Sequence, residues 1–174
     1  MMKNVDIRLL ILLVIFIAGA FIRLYPTTLY EKPLKYDSYY HARVAELVKS
    51  TGSIPAEEPW PEGGRPHFYP PLYHVLLAAT SSILGSSVLD VIKFFLPVVS
   101  AILILAVFWL SYSYRNMNTA LLTAFLVAFN PFILNASYDS PELIGLLLLC
   151  FSVFFLLKKR LYLAGIFLGV GLLF

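Results

Sequence analysis

Charged side chains are scarce in this chain of 174 residues, at 13% of the total, about half the usual globular share. The basic residues are dispersed, so no basic domain could follow a phosphate backbone, and we exclude nucleic acid as a partner. A single cysteine, Cys150, excludes an intrachain disulfide. Hydrophobic residues make up 60% of the chain, which predicts an integral membrane protein with the lipid bilayer as its surroundings.

Long apolar segments predict the membrane spans. Arg8 and Arg23 flank the first, and we expect both side chains to extend toward the membrane surface. A cleaved signal sequence is the alternative for this segment, but Phe21 and Ile22 continue the apolar run past the small residues of a cleavage site. The last segment has no polar stop, so we expect the chain to be a fragment of a longer protein. The predicted spans are about 9–24, 94–113, 119–135, 142–157 and 161–174.

A polar, proline-rich loop at 25–93 separates the first two spans. Within it, apolar periodicity predicts interfacial helices at 38–50 and 71–85. Basic residues in the short loops, Arg115 and the cluster at 158–160, belong inside the cell. The predicted fold is therefore all-α: a single multi-pass transmembrane domain over 1–174 of the cell membrane. Its N-terminus lies inside, and loops 25–93 and 135–142 lie outside.

Two acidic segments then face the same external compartment. One begins at Asp37, and the other contains Asp139 and Glu142. Carboxylates beside a bilayer are costly, and hard cations such as Mn²⁺ or Mg²⁺ prefer oxygen ligands completed by substrate phosphates. The segments predict a shared metal site for a phosphate-bearing substrate. The alternative is helix capping, because Asp37 could be an N-cap and the Asp-x-x-Glu pattern is a capping box.

Other polar residues of the first loop are weaker candidates for substrate contact. His41 follows Asp37 by one helical turn, and Arg65 and His67 precede a Tyr-Pro-Pro run. Their structural alternative is to order the loop and its entry into the next helix. No predicted span carries a charge in its middle, which disfavours a transporter.

The segment from Asp37 to Arg43 resembles the first external loop of the STT3 family, the catalytic subunits of archaeal and bacterial oligosaccharyltransferase within the GT-C membrane glycosyltransferases. The order of elements is also similar: a first span, a long external loop, a helical hairpin with a basic turn, then a second acidic loop. The resemblance implies a GT-C-like fold, with His41 and Arg43 at the substrate. The family's later Trp-Trp-Asp motif is absent, since Trp60 and Trp109 are the only tryptophans.

The resemblance also implies an activity, the transfer of a glycan from a polyprenyl-linked phosphate donor to asparagine of an acceptor polypeptide. Asp37 would bind the metal and the acceptor amide, and Asp139 would bind the metal as a second catalytic carboxylate. The family's next carboxylate falls on Pro141, which cannot ligate, and Glu142 is displaced by one residue. The alternatives are a GT-C enzyme using a polyprenyl-phosphate monosaccharide, or a non-catalytic truncated or accessory membrane protein.

Overall fold

The structure is a computed structural model that describes residues 6–57, 66–67 and 69–174. The described residues are helical, and apart from an isolated bridge between Glu57 and Pro66 they contain no β structure. The prediction of an all-α chain is thus confirmed for them. In chain order the helices are α1 (Ile7–Leu29), α2 (Tyr36–Thr51), α3 (Leu72–Leu84), α4 (Val88–Tyr114), α5 (Met117–Phe129), α6 (Pro131–Ala136), α7 (Glu142–Leu157) and α8 (Leu161–Gly171).

Among the described residues, two helices are long and apolar enough to cross a membrane. These are α1, with 23 residues, and α4, with 27. At 1.5 Å per residue they are about 35 and 40 Å long, which exceeds the hydrocarbon thickness of about 30 Å. Helices α3, α5, α7 and α8 are apolar but shorter, at 10–17 residues. The spans predicted at 142–157 and 161–174 fall on α7 and α8, and their crossing stays a prediction.

Helix α4 is the central element of the packing. Near its N-terminus, Leu96 packs in a buried cluster with Ala45 of α2 and Leu77 of α3. Near its C-terminus, Phe108 packs in a second cluster with residues of α1 and α5. Leu103, which also lies on α4, belongs to a third cluster with residues of α7. Helices α2 and α3 therefore lie at the end of the bundle where α4 begins.

Helix α2 buries part of the face that its apolar periodicity predicts, and His41 with it. Val44 and Val48 of that apolar face are buried, but His41, which the pattern places among the polar residues, is only 1% exposed. The buried stripe combines small and polar side chains, which allows α2 to pack closely against α3. The buried residues of α2 are Ser38, His41, Ala42, Val44, Ala45 and Val48.

The span predicted at 119–135 is two helices, because the chain breaks at Asn130 and Pro131. Asn130 has an extended backbone, and its Oδ1 accepts hydrogen bonds from the amides of Phe132 (2.9 Å) and Ile133 (3.1 Å). Pro131 then occupies the first turn of α6, where the missing amide proton has no cost. The dipeptide Asn-Pro is a helix-start signal, and here it overrides the continuity of the apolar run.

Arg23 is the clearest correction to the sequence analysis, which placed its side chain at the membrane surface. The side chain is fully buried between α1, α4 and α5. Its Nε donates to Ser100 Oγ (2.7 Å), and its terminal nitrogens donate to the carbonyls of Gly19 (2.9 Å), Ala128 (2.8 Å) and Val127 (3.0 Å). Pro131 has no amide proton for the Val127 carbonyl, so the guanidinium supplies the missing donor.

Candidate functional site

Asp37 lies exposed in the first turn of α2 and does not cap it. The N-cap position is Lys35, and no side chain there accepts a capping hydrogen bond. A carboxylate in the first turn is favoured by the positive end of the helix dipole, but its oxygens are not used up in capping. The capping explanation for Asp37 is therefore not realised, and its carboxylate is exposed.

Asp139 belongs to the short segment between α6 and α7, and it does not form the capping box. The N-cap of α7 is Pro141, which has no side-chain capping bond, and the helix begins at Glu142. The nearest partner of the Asp139 carboxylate is the hydroxyl of Ser140, whose Oγ donates to Oδ1 at 3.3 Å. Asp139 is half-buried, and its carboxylate makes no capping bond to the start of α7.

Two hydrogen bonds join the start of α2 to the segment that carries Asp139. Ser38 Oγ, which is fully buried, donates to the carbonyl oxygen of Tyr138 at 2.8 Å. Lys35 Nζ donates to Asn135 Oδ1 at 2.7 Å. Both bonds connect residues 100 positions apart in the chain. Because Asp37 and Asp139 each adjoin one partner of the first bond, the two acidic segments are neighbours.

The carboxylates are also close enough to influence one another. The pKa of Asp139 is raised, chiefly by burial and further by the negative charges of Asp37 and Glu142, while Lys35 lowers it. Glu142 is exposed in the first turn of α7, and Pro141 is buried. The site therefore combines two aspartates on neighbouring segments, an adjacent glutamate and one nearby lysine.

A metal fits this site only with help from a substrate. Across the part of the chain that the structure describes, no three His, Cys, Asp or Glu side chains form a group that could hold a metal ion. Mg²⁺ and Mn²⁺, however, are often bound by one or two carboxylates and complete their coordination with phosphate oxygens and water. Asp37 and Asp139 suit that arrangement, with Glu142 as an additional oxygen donor nearby.

The three histidines form a cluster of their own between α2, the first loop and α3. His41 Nδ1 and His74 Nε2 are hydrogen-bonded at 2.9 Å between α2 and α3. Burial lowers the pKa of His41 to about 4 and that of His74 to about 3, so both rings are neutral at pH 7. His67 Nδ1 lies 3.1 Å from the hydroxyl of Tyr40, and its ring centre is 5.1 Å from that of His74. This cluster joins the first loop to α3.

The remaining predicted contacts lie away from the carboxylates or outside the described residues. Arg43 is exposed on α2 and forms an ion pair with Glu46 at 3.9 Å, on a different face from His41. Arg65 lies outside the described residues. The structure brings together Asp37, Asp139 and Glu142, and it does not bring Arg43 to them.

Two residues of this region were missed by sequence reasoning. His74 pairs with His41, and Tyr73 is 1% exposed with a hydroxyl that has no hydrogen-bond partner among the described residues. Burial raises the pKa of Tyr73, and the charges of Asp139 and Glu142 raise it further. The available signal was a Tyr-His pair at the start of an apolar segment, since polar groups that are buried there need hydrogen-bond partners.

A family model described as "Oligosaccharyl transferase STT3, N-terminal" matches residues 7–164. The chain belongs to this family. The match includes Asp37, Asp139 and Glu142, and it confirms the resemblance drawn from the first loop. The STT3 family is membrane-associated, in agreement with the length and composition of α1 and α4. No curated protein and no solved structure matches the chain.

Proposed function

We propose that this STT3 chain provides part of the active site for transfer of a glycan from a polyprenyl-linked phosphate donor to asparagine of an acceptor polypeptide. The reaction takes place on the external face of the membrane. The observation that carries the proposal is the hydrogen bond from Ser38 to Tyr138, because it makes neighbours of Asp37 and Asp139. Neither aspartate caps a helix, so both carboxylates remain available to ligands.

The two carboxylates have different environments and therefore different roles. Asp37 is exposed at a helix start and orients the acceptor amide, while half-buried Asp139 faces the phosphate of the donor. A bound Mn²⁺ or Mg²⁺ would neutralise the charge of the departing phosphate. Asp37 and Asp139 would be its protein ligands, phosphate oxygens and water would complete its coordination, and the displaced Glu142 would be a further oxygen donor nearby. Lys35, which lowers the pKa of Asp139, adds positive charge beside the phosphate position.

Binding of Mn²⁺ to the chain in nanodiscs, measured by electron paramagnetic resonance with and without undecaprenyl phosphate, tests this site. We expect saturable binding that the lipid phosphate strengthens and that Asp37→Ala and Asp139→Ala each abolish. Glu46→Ala, which removes an exposed carboxylate from another part of α2, is the matched control and should bind as wild type does. Absence of binding by folded wild type with the lipid present would contradict the proposal.

The donor separates the two enzymatic alternatives. Membranes carrying the protein should transfer a lipid-linked oligosaccharide to an asparagine sequon peptide, and not a monosaccharide from polyprenyl phosphate. The first loop favours the oligosaccharide, because Asp37 is followed by Ser38 instead of a second acid. Preferential use of the monosaccharide donor would favour the alternative.

A non-catalytic role is favoured by one observation. The position where the family has its second carboxylate is occupied by Pro141, which is buried and offers no ligand. If this loss had ended catalysis, membranes carrying the wild-type protein would transfer no glycan to the sequon peptide. We expect instead that the wild type transfers glycan, that Asp139→Ala abolishes transfer, and that Glu142→Gln weakens it.

A further inference from the structure

A proline in α1 leaves one backbone carbonyl without its helical donor. Pro26 lies inside the helix and has no amide proton, so the carbonyl of Ile22, four residues earlier, cannot accept the usual bond. The hydroxyl of Tyr138 donates to that carbonyl at 3.3 Å. The side chain of Tyr138 is therefore hydrogen-bonded to the one α1 carbonyl that Pro26 deprives of its helical donor.

The backbone of the same tyrosine is linked to a different helix. Its carbonyl oxygen accepts the 2.8 Å hydrogen bond from Ser38 Oγ at the start of α2. Besides the bond from Lys35 to Asn135, local bonds hold the segment 135–140, including those from the amides of Asp139 (3.3 Å) and Ser140 (2.9 Å) to the carbonyl of Ala136. Tyr138, the residue before Asp139, is thus hydrogen-bonded to both α1 and α2.

We propose that Tyr138 is a positioning residue that sets the place of Asp139 relative to Asp37, through its hydroxyl on the Ile22 carbonyl and its own carbonyl on Ser38. The inference deepens the proposed function and rests on it. The hydroxyl bond fixes the distance of the segment from α1, and the carbonyl bond fixes its distance from the helix that carries Asp37. Tyr138 does not touch the substrate in this role.

Tyr138→Phe tests the inference because it removes only the hydroxyl. Two measurements on the 174-residue chain in nanodiscs are compared with wild type: hydrogen exchange of the amides of Asp139 and Ser140 without metal, and Mn²⁺ affinity with undecaprenyl phosphate present. We expect faster exchange at both amides and a fall in Mn²⁺ affinity of about tenfold, as for other partners that orient metal ligands. Ser38→Ala should give the same two effects. Tyr162→Phe, at an exposed tyrosine of α8, is the control.

The two measurements also separate this inference from the proposed function. If folded wild type binds no Mn²⁺ with the lipid phosphate, the proposed function fails, and hydrogen exchange alone then decides the positioning role. Unchanged exchange at Asp139 and Ser140 in Tyr138→Phe would overturn the inference. It would also be overturned by an unchanged Mn²⁺ affinity, even if the thermal midpoint fell, because a merely structural tyrosine lowers stability without weakening the metal site.

Discussion

Removal of the Arg23 guanidinium should destabilise the chain more than any change at its exposed arginines. The Val127 carbonyl lacks a helical donor because of Pro131. The amide that would serve the Ala128 carbonyl, that of Phe132, bonds to Asn130 instead. A buried polar group left without a partner costs about 1–3 kcal/mol. Two such carbonyls in Arg23→Ala correspond to a loss of about 4 kcal/mol, a large part of a typical total stability of about 5–15 kcal/mol.

Reversible denaturant unfolding in detergent micelles, followed by circular dichroism, measures this loss. Arg23→Lys keeps the charge but replaces a planar group with a single ammonium, so it should lose about half as much. Arg8→Ala, at an exposed arginine of α1, should stay within about 0.5 kcal/mol of wild type. The reasoning is refuted if Arg23→Ala unfolds within about 1 kcal/mol of wild type, since the two carbonyls would then not depend on the guanidinium.

Three further predictions concern the histidine cluster, its neighbour Tyr73, and Asp139. The folded-state pKa values of His41 and His74, about 4 and about 3, lie below the usual 6.5. The contribution of these two neutral histidines to the free energy of unfolding is therefore fully present above pH 6.5, and it falls as the pH drops toward 4 because only the unfolded chain takes up the protons. Thermal unfolding at pH 7 and pH 5 should show this fall, and His74→Gln should reduce it. Tyr73→Phe should raise the free energy of unfolding by about 1 kcal/mol, because it removes a buried hydroxyl that has no partner among the described residues, and a loss measured by denaturant unfolding would refute this. Asp139→Asn should raise the thermal midpoint while abolishing Mn²⁺ binding, because the raised pKa of Asp139 means that folding disfavours its charge, and a lowered midpoint would contradict this.

The positions of several helices could be predicted from sequence, although α1 and α4 extend beyond their predicted spans and 119–135 is divided into α5 and α6. The segment 142–157 coincides with α7 because a lysine-rich turn and Pro141 bound its apolar run on both sides. The neighbourhood of Asp37 and Asp139 was also accessible, since the distribution of basic loops places both segments at one end of the bundle. Local pattern and charge were sufficient for these features.

Contacts between distant segments could not be read from periodicity. Two of the acceptors of Arg23 lie 104 and 105 residues away on α5, and nothing near position 23 indicates them. Pro131 was visible, however, and a proline inside a buried helical segment requires a donor for the carbonyl four residues earlier. The burial of His41 was missed for a related reason, since its partner His74 belongs to another helix and a hydrogen-bonded histidine counts as polar in any pattern.

The position of Arg23 has a consequence for the order in which the bundle assembles. Its acceptor Ala128 follows it by 105 residues, and synthesis at about 5–20 residues per second makes that segment about 5–20 s later. During this interval α1 has no α5 beside it, so the arginine must reach water or lipid headgroups from near the end of its helix. In the finished bundle two of its partners are backbone carbonyls of α5, so we expect α1 to reach its final depth and rotation only after α5 is made.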